Sequence, residues 1–274
     1  MLFDPGSVLA WGVPLMRDLP WRHDRDPWRI LVAEVMLQQT QSARVIPKWN
    51  DFLEAFPTPV SCAEASLGDV LRLWQGLGYP RRARNLRAAA AAVVSNHDGA
   101  LPDQLDKLLA LPGIGPYTAR AVLAFAFERD VAVVDTNIAR ILARTSGERL
   151  TPKRAQSAAD DLVPAGDGWT WNQVIMDLGA TVCRPTPQCH ECPIARHCAW
   201  QRSGRGHPDP AVGSAGVSTK QARFDGSDRQ ARGKVLAALG IGAHPASDFD
   251  ERIVAGLLAD GLIERVGATI ALPS

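Results

Sequence analysis

The stretch that decides the fold is Leu111-Pro-Gly-Ile-Gly-Pro-Tyr-Thr118, followed by 119–127 and by Val133-Val-Asp-Thr-Asn137. It reads as a tight turn, a helix, and an acid delivered near the start of the next helix. Gly113 and Gly115 permit positive φ and close approach of another backbone. Pro116 suits the first turn of a helix. The N–H groups left free there point outward, as an anion site needs, and a nucleic-acid phosphate fits it. Asp135 stands about a helix length downstream, ahead of the apolar run Ile138, Ile141 and Leu142. Such a turn alone also suits a plain loop between two packed helices, so its surroundings carry the weight.

Bulk properties narrow the class. The 274 residues suffice for one large or two to three small cores. A balance of 46% hydrophobic to 22% charged residues is globular. No apolar run approaches the ~20 residues of a membrane span. The N-terminus lacks the basic and apolar regions of a signal peptide, so a cytoplasmic, nucleoid-associated protein is expected. A net charge of +1 does not mark a nucleic-acid binder, but Arg81, Arg82, Arg84 and Arg87 are clustered.

Apolar spacing predicts helices over 7–18, 28–39, about 41–56, 62–75, 81–96, 103–110, 117–127, 137–146, 151–163 and 170–182. Thr40 is the expected cap of the third of these. The first 200 residues therefore read as all-α. A Gly/Ser/Pro-rich linker covers 201–226. Helices over 228–239 and 247–259 follow, the second opened by Ser247 and Asp250 as a capping box. A hairpin turning near Gly267 closes the chain, giving a winged-helix-like module over 227–274.

Two sets of residues carry chemistry. Cys183, Cys189, Cys192 and Cys198 form C-x5-C-x2-C-x5-C. In a reducing compartment this density reads as metal, and the spacing suits one [4Fe–4S] cube or one zinc. His190 and His197 read as solvated bystanders, and Cys62 as a small core thiol. Glu34 lies among Val32, Val35 and Leu37. Desolvation there would raise its pKa, as a general acid needs, although the pattern alone favours a solvent-facing glutamate on an amphipathic helix.

Leu-Pro-Gly-Ile-Gly with Val-Asp-Thr-Asn resembles the helix-hairpin-helix and Gly/Pro-Asp loop of base-excision DNA glycosylases. Glu34-Val-Met-Leu-Gln-Gln-Thr40 closely matches the catalytic-acid motif of the MutY-type adenine DNA glycosylases. The resemblance covers about residues 7–200. It implies an all-α, two-lobed fold: a six-helix-barrel domain over 20–126, and an iron–sulfur domain from 1–19 and 127–200. It implies a [4Fe–4S] cluster on the four cysteines, although the first gap is one residue shorter than the family's usual six. It implies that Glu34 protonates the base, that Asp135, kept ionised by the helix dipole and free N–H groups, stabilises the positive sugar, and that Asn137 orients the site. The family usually reads Asp-Gly-Asn; Thr136 replaces that glycine.

Bifunctional relatives similar to endonuclease III carry a Schiff-base lysine where this chain has Tyr117, which implies a monofunctional enzyme. Gln75-Gly-Leu-Gly-Tyr79 is similar to the family's Gly-Leu-Gly-Tyr-Tyr turn, with Pro80 replacing the second tyrosine. The resemblance implies DNA contacts at Gln39, Tyr79, Gly113, Gly115 and Arg81, and arginines 184, 196 and 202 near phosphates. Arg17, Trp21, Arg22, Leu37 and Asp177 match adenine-pocket positions, Asp177 standing where the family usually has Glu. The expected partner is double-stranded DNA with a flipped mispaired base, bound by a monomer and away from membranes. The chain left after residue 200 is too short and too helical for the Nudix-like domain of many family members. Two further readings are open: a mismatch-specific thymine glycosylase on the same scaffold, and a non-catalytic iron–sulfur DNA-binding protein. The second predicts loss of one carboxylate, and both are present.

Overall fold

The computed structural model describes residues 2–217 and 223–274, so the part of the expected linker at 218–222 lies outside the described residues. In chain order the helices are α1 (Pro5–Gly12), α2 (Pro27–Leu37), α3 (Ser42–Ala55), α4 (Pro59–Glu64), α5 (Leu67–Trp74), α6 (Arg81–His97), α7 (Leu105–Leu109), α8 (Pro116–Phe125), α9 (Thr136–Ser146), α10 (Pro152–Asp160), α11 (Gly168–Asp177), α12 (Ala199–Arg202), α13 (Asp228–Ile241) and α14 (Glu251–Ala259). Among the described residues no helix is long and apolar enough to cross a membrane. The chain divides into two compact units, residues 1–22 with 119–221, and residues 23–118 with 222–274.

Capping corrects several expected boundaries. Asp4 accepts from Gly6 and Ser7 N–H, so α1 starts early, and the chain tightens into a 3-10 turn at Val13–Leu15. The expected helix over 62–75 is two helices. Thr58 and Ser61 form a capping box on α4, and Ser66 accepts from Asp69 N–H at 3.0 Å to begin α5. Thr40 does not cap α3. Its hydroxyl donates instead to the carbonyls of Gln38 and Leu77, both at 3.3 Å, and Gln41 stands at the cap. Asp250 alone caps α14, accepting from Ile253 N–H at 3.1 Å, while Ser247 lies in a preceding 3-10 turn.

In the first unit, α9 carries a fully apolar face of Ile138, Ile141 and Leu142 against Trp171, Ile175 and Leu178 of the α11 region. A wider π-type turn over Leu178–Val182 ends α11 and leads into the cysteine loop.

In the second unit, Phe52 packs edge-on against Phe56 and Trp74, with ring centroids 5.1 and 6.2 Å away. The tail belongs to this unit. Strands β1 (His244–Pro245), β2 (Glu264–Val266) and β3 (Thr269–Ala271) form an antiparallel sheet in the order β1-β3-β2. The two-residue β1 is too short for alternation to announce it. Gly68 N–H donates to the carbonyl of Pro273 at 2.8 Å, one residue from the chain end. A Cβ at Gly68 would stand 2.7 Å from that oxygen, so only glycine allows the approach.

Candidate active site

Glu34 sits on the buried face of α2 and is 5% exposed. The solvent-facing alternative is therefore excluded. Asp26 caps this helix, accepting from Arg29 N–H at 3.0 Å, and so sets its register. The Tyr117 hydroxyl donates to Glu34 Oε2 at 2.8 Å. Tyr117 lies in the first turn of α8, directly after the glycine turn that joins α7 to α8. Gly113 there has φ 75, and a Cβ on it would meet Asn85 at 2.6 Å. Of the two glycines that permit positive φ, Gly115 does not use it. Nothing stands within 4 Å of where its Cβ would be, which leaves the backbone open to close approach.

The end of α2 is fixed by one guanidinium. Arg82 donates to the carbonyls of Val35, Met36 and Gln38 at 2.7, 2.9 and 2.7 Å. It also donates to the carbonyls of Leu77 and Gly78, each at 3.0 Å. Burial holds it below the usual arginine range, at about 10, still protonated at neutral pH. Arg82 thus ties the Gln38–Thr40 turn to the Gly76–Tyr79 turn. Two residues expected to meet DNA, Gln39 and Tyr79, sit at φ 56 and 49. Such conformations are disfavoured for residues with a side chain and cluster at functional sites. Arg81, expected on DNA, is ion-paired with Asp260 of the tail.

In the first unit, Asp135 caps α9. It accepts from Asn137 N–H at 2.9 Å, Ile138 N–H at 2.7 Å and the Asn137 side-chain amide at 2.8 Å. The expectation that such donors keep it readily ionised is corrected. Burial pushes its carboxyl above the ordinary value, and the donors together with Arg140 recover only part of that. Arg140 donates to the Asn137 side-chain oxygen, the Gly179 carbonyl and the Cys183 carbonyl at 2.7, 2.7 and 2.6 Å. One turn on, Arg144 donates to Cys183 Sγ at 3.5 Å and to Asp209 at 2.6 Å, and lies over the Trp200 ring at 4.6 Å. Cys198 Sγ donates to the Arg144 carbonyl at 3.2 Å.

The four cysteines line one hollow with Ile141, Leu178, Ile194 and Trp200. Among the described residues no three His, Cys, Asp or Glu side chains converge on a single-ion site. His190 and His197 are exposed, and Cys62 is fully buried, its thiol pushed up to about 12 by burial.

The expected base-pocket residues divide. Asp177 is enclosed by arginines: Arg22 reaches its two oxygens at 2.7 and 2.9 Å, and Arg17 binds through Nε at 2.6 Å and backbone N–H at 3.0 Å. Burial presses this carboxyl up, but the two arginines outweigh it and hold it below the usual range. Asp177 therefore presents an ion-pair cluster rather than a lone acceptor. Trp21 is buried in this unit, and Leu37 is half-buried at the end of α2 in the other. Arg82 was expected only as one member of a basic cluster, and Arg140 and Arg144 carried no expectation. The one available signal was a cation recurring at i and i+4 within the apolar run of α9.

A capped helix bearing a buried glutamate, a glycine hairpin and a capping aspartate on the following helix define the class of helix-hairpin-helix glycosylases. A family model described as HhH-GPD superfamily base excision DNA repair protein matches residues 32–165. The chain is 40% identical to an adenine DNA glycosylase of Mycobacterium tuberculosis, over 97% of this chain and 92% of that one. It is 40% identical to human adenine DNA glycosylase over 70% of this chain and 38% of the human one. A thermostable thymine-DNA glycosylase superposes with TM-score 0.68 at 28% identity, over 73% of this chain and 95% of that one. The chain belongs to the HhH-GPD superfamily of base excision DNA repair proteins and, within it, to the adenine DNA glycosylases.

Proposed function

We propose that this enzyme is a monofunctional glycosylase that hydrolyses the N-glycosidic bond of adenine mispaired with 8-oxoguanine or G. The observation that carries the reading is the Tyr117–Glu34 hydrogen bond. A tyrosine occupies the hairpin position where a Schiff-base lysine would act, and it orients a buried acid rather than attacking the sugar. In the proposed reaction a flipped adenine accepts the Glu34 proton at N7. The C1′–N9 bond then breaks, its electron pair leaving with the base. Asp135 offsets the charge of the oxocarbenium-like sugar, and water adds at C1′, giving its proton to the Glu34 carboxylate and leaving an abasic site. The strained Gln39 and Tyr79 suit insertion beside the extruded nucleotide.

The four cysteines fit a [4Fe–4S] cluster better than one zinc. A tetrahedral zinc draws its sulfurs to about 2.3 Å from a single centre. Four thiolates spread around a hollow suit a cluster that offers each its own iron. When bound, the cluster supplies a four-point cross-link of the loop. Arginines 184, 196 and 202, all exposed, are then available to phosphates.

The test is single-turnover cleavage of duplexes carrying A:8-oxoG, A:G, A:C and G:T. Strand breaks at adenine that appear only after alkali are expected. Breaks without alkali reject the monofunctional claim, and cutting solely at G:T moves the substrate to thymine. Glu34→Gln should slow excision about 10²–10⁴-fold while duplex binding persists.

A further inference from the structure

The backbone of the Gly76–Tyr79 turn is held locally, Leu77 N–H donating to the Trp74 carbonyl and the Trp74 indole to the Gly78 carbonyl, both at 3.1 Å. Gly76 and Gly78 take φ 89 and 72, and Tyr79 follows at φ 49, where a residue with a Cβ is disfavoured. The hold on its ring comes partly from the tail. Arg229, in the first turn of α13, donates from Nη1 to the Tyr79 hydroxyl at 2.9 Å and stands 5.9 Å from the ring centroid. Arg82 stands 5.6 Å from the same centroid. Helix α13 is itself anchored beside this turn. Arg72 Nε donates to the Gly240 carbonyl at 3.2 Å, and the Gln75 amide donates to the Leu236 carbonyl at 3.4 Å. Asp260 pairs with both Arg81 and Arg232. Asp260, just past α14, is thereby engaged in packing within this unit, while Arg229 brings a cation of the tail to the expected DNA-facing turn.

We propose that Arg229 is a positioning residue for Tyr79, through which the C-terminal module fixes how this aromatic enters a mismatched duplex. The inference rests on the glycosylase reading above, and it gives the module a part in recognition as well as in packing. A cation over an aromatic face together with a hydrogen bond limits the ring to one approach. A ring held in advance loses less freedom on insertion, so affinity for the distorted duplex rises without a new contact.

The experiment uses the full chain with Arg229→Ala, Tyr79→Ala and the double variant. Dissociation constants are measured for a duplex bearing a non-hydrolysable abasic-site analogue opposite 8-oxoguanine, and for a fully matched duplex. Arg229→Ala should weaken the analogue duplex about tenfold and the matched duplex by less than about twofold. The double variant should bind no worse than Tyr79→Ala alone, because the arginine acts through the ring. Arg229→Lys keeps a charge and a donor of nearly the same reach, and should retain most of the preference for the analogue duplex; loss as large as in Arg229→Ala would count against the proposal. Additive losses in the double variant would overturn the proposal. So would equal weakening of both duplexes with a salt slope shallower by about one, the mark of a plain phosphate contact. Failure of the glycosylase reading is separate: the parent chain would then release no adenine, whereas this proposal can fail with release intact.

Discussion

Asp135 has the donors of a good helix cap and yet sits above its ordinary pKa, because burial costs the charge more than those donors return. The sign follows from linkage. A carboxyl raised on folding contributes stability below its unfolded value and loses it as pH rises through the folded value. At neutral pH its ionisation therefore opposes folding. Asp135→Asn keeps an oxygen for the Asn137 and Ile138 N–H groups and removes that charge, but sets a second amide against the Asn137 side-chain amide. Its melting temperature relative to the parent's should therefore rise as pH goes from acid to neutral, where the parent alone carries the buried charge. Excision should fall about 10²–10³-fold, the loss expected when a transition-state countercharge goes. In the parent, the acid limb of the excision–pH profile should lie above the ordinary aspartate value of about 3.9. Asp177 has the opposite sign. Its lowered carboxyl contributes stability above the unfolded value, lost as pH falls through the folded one. Arg22→Met leaves that buried charge with Arg17 alone and should cost about 3 kcal/mol in denaturant unfolding at neutral pH. The deficit should shrink below about pH 4 as Asp177 protonates in the unfolded chain.

At the scale of elements, what could be read in the sequence divides by whether the information is local. Glu34, Tyr117 and Asp135 stand in short motifs, and each lands on the helix or cap that its neighbours dictate. The break between α4 and α5 had a signal that the expected single helix over 62–75 passed over: Ser66 followed three residues later by Asp69 is a cap signature inside an apolar run. The roles of Arg82, Arg140 and Arg144 were not legible. Most of their partners are main-chain carbonyls, joined at Arg144 by the Cys183 thiol and Asp209, and no spacing rule encodes a carbonyl. Helix α9 makes the consequence testable. Its cap holds Asp135, its first turns hold Asn137 and Arg140, and Arg140 reaches the Cys183 carbonyl. Arg140→Gln strips donors from Gly179, Asn137 and Cys183 together. Single-turnover excision should slow by about tenfold, the loss expected from roughly 1.4 kcal/mol of misplaced hydrogen bonding. Under the proposed [4Fe–4S] assignment, iron and sulfide content per chain should fall in the same preparation. Full iron content with slowed excision would confine the role of Arg140 to the Asp135 end of the helix.

At the scale of the molecule, the tail decides how many cooperative parts the second unit has. The sequence sets 227–274 apart by a linker and a change of pattern, as an independent module would be. Packing argues otherwise. Ile270 is fully buried, Leu272 nearly so, and the Pro273 carbonyl accepts from Gly68 at the start of α5. Ile270 and Leu272 belong to the expected hairpin, but the contact that docks it has no sequence signature, because an accepting carbonyl and a glycine without a side chain leave no pattern to read. A chain ending at Ala268 loses β3, and with it the central strand of the sheet and the contact at Gly68. Removing two buried aliphatic side chains alone costs on the order of 5 kcal/mol. The whole of residues 23–118 should feel the loss, since Arg72 of α5 and Gln75 just past it donate to α13 carbonyls. Calorimetry of the shortened chain should therefore show the transition of this unit moved down as one piece. A tail melting early by itself, with the remaining transition in place, would mean that the module folds apart from α5 and α6 and cannot brace the turn between them.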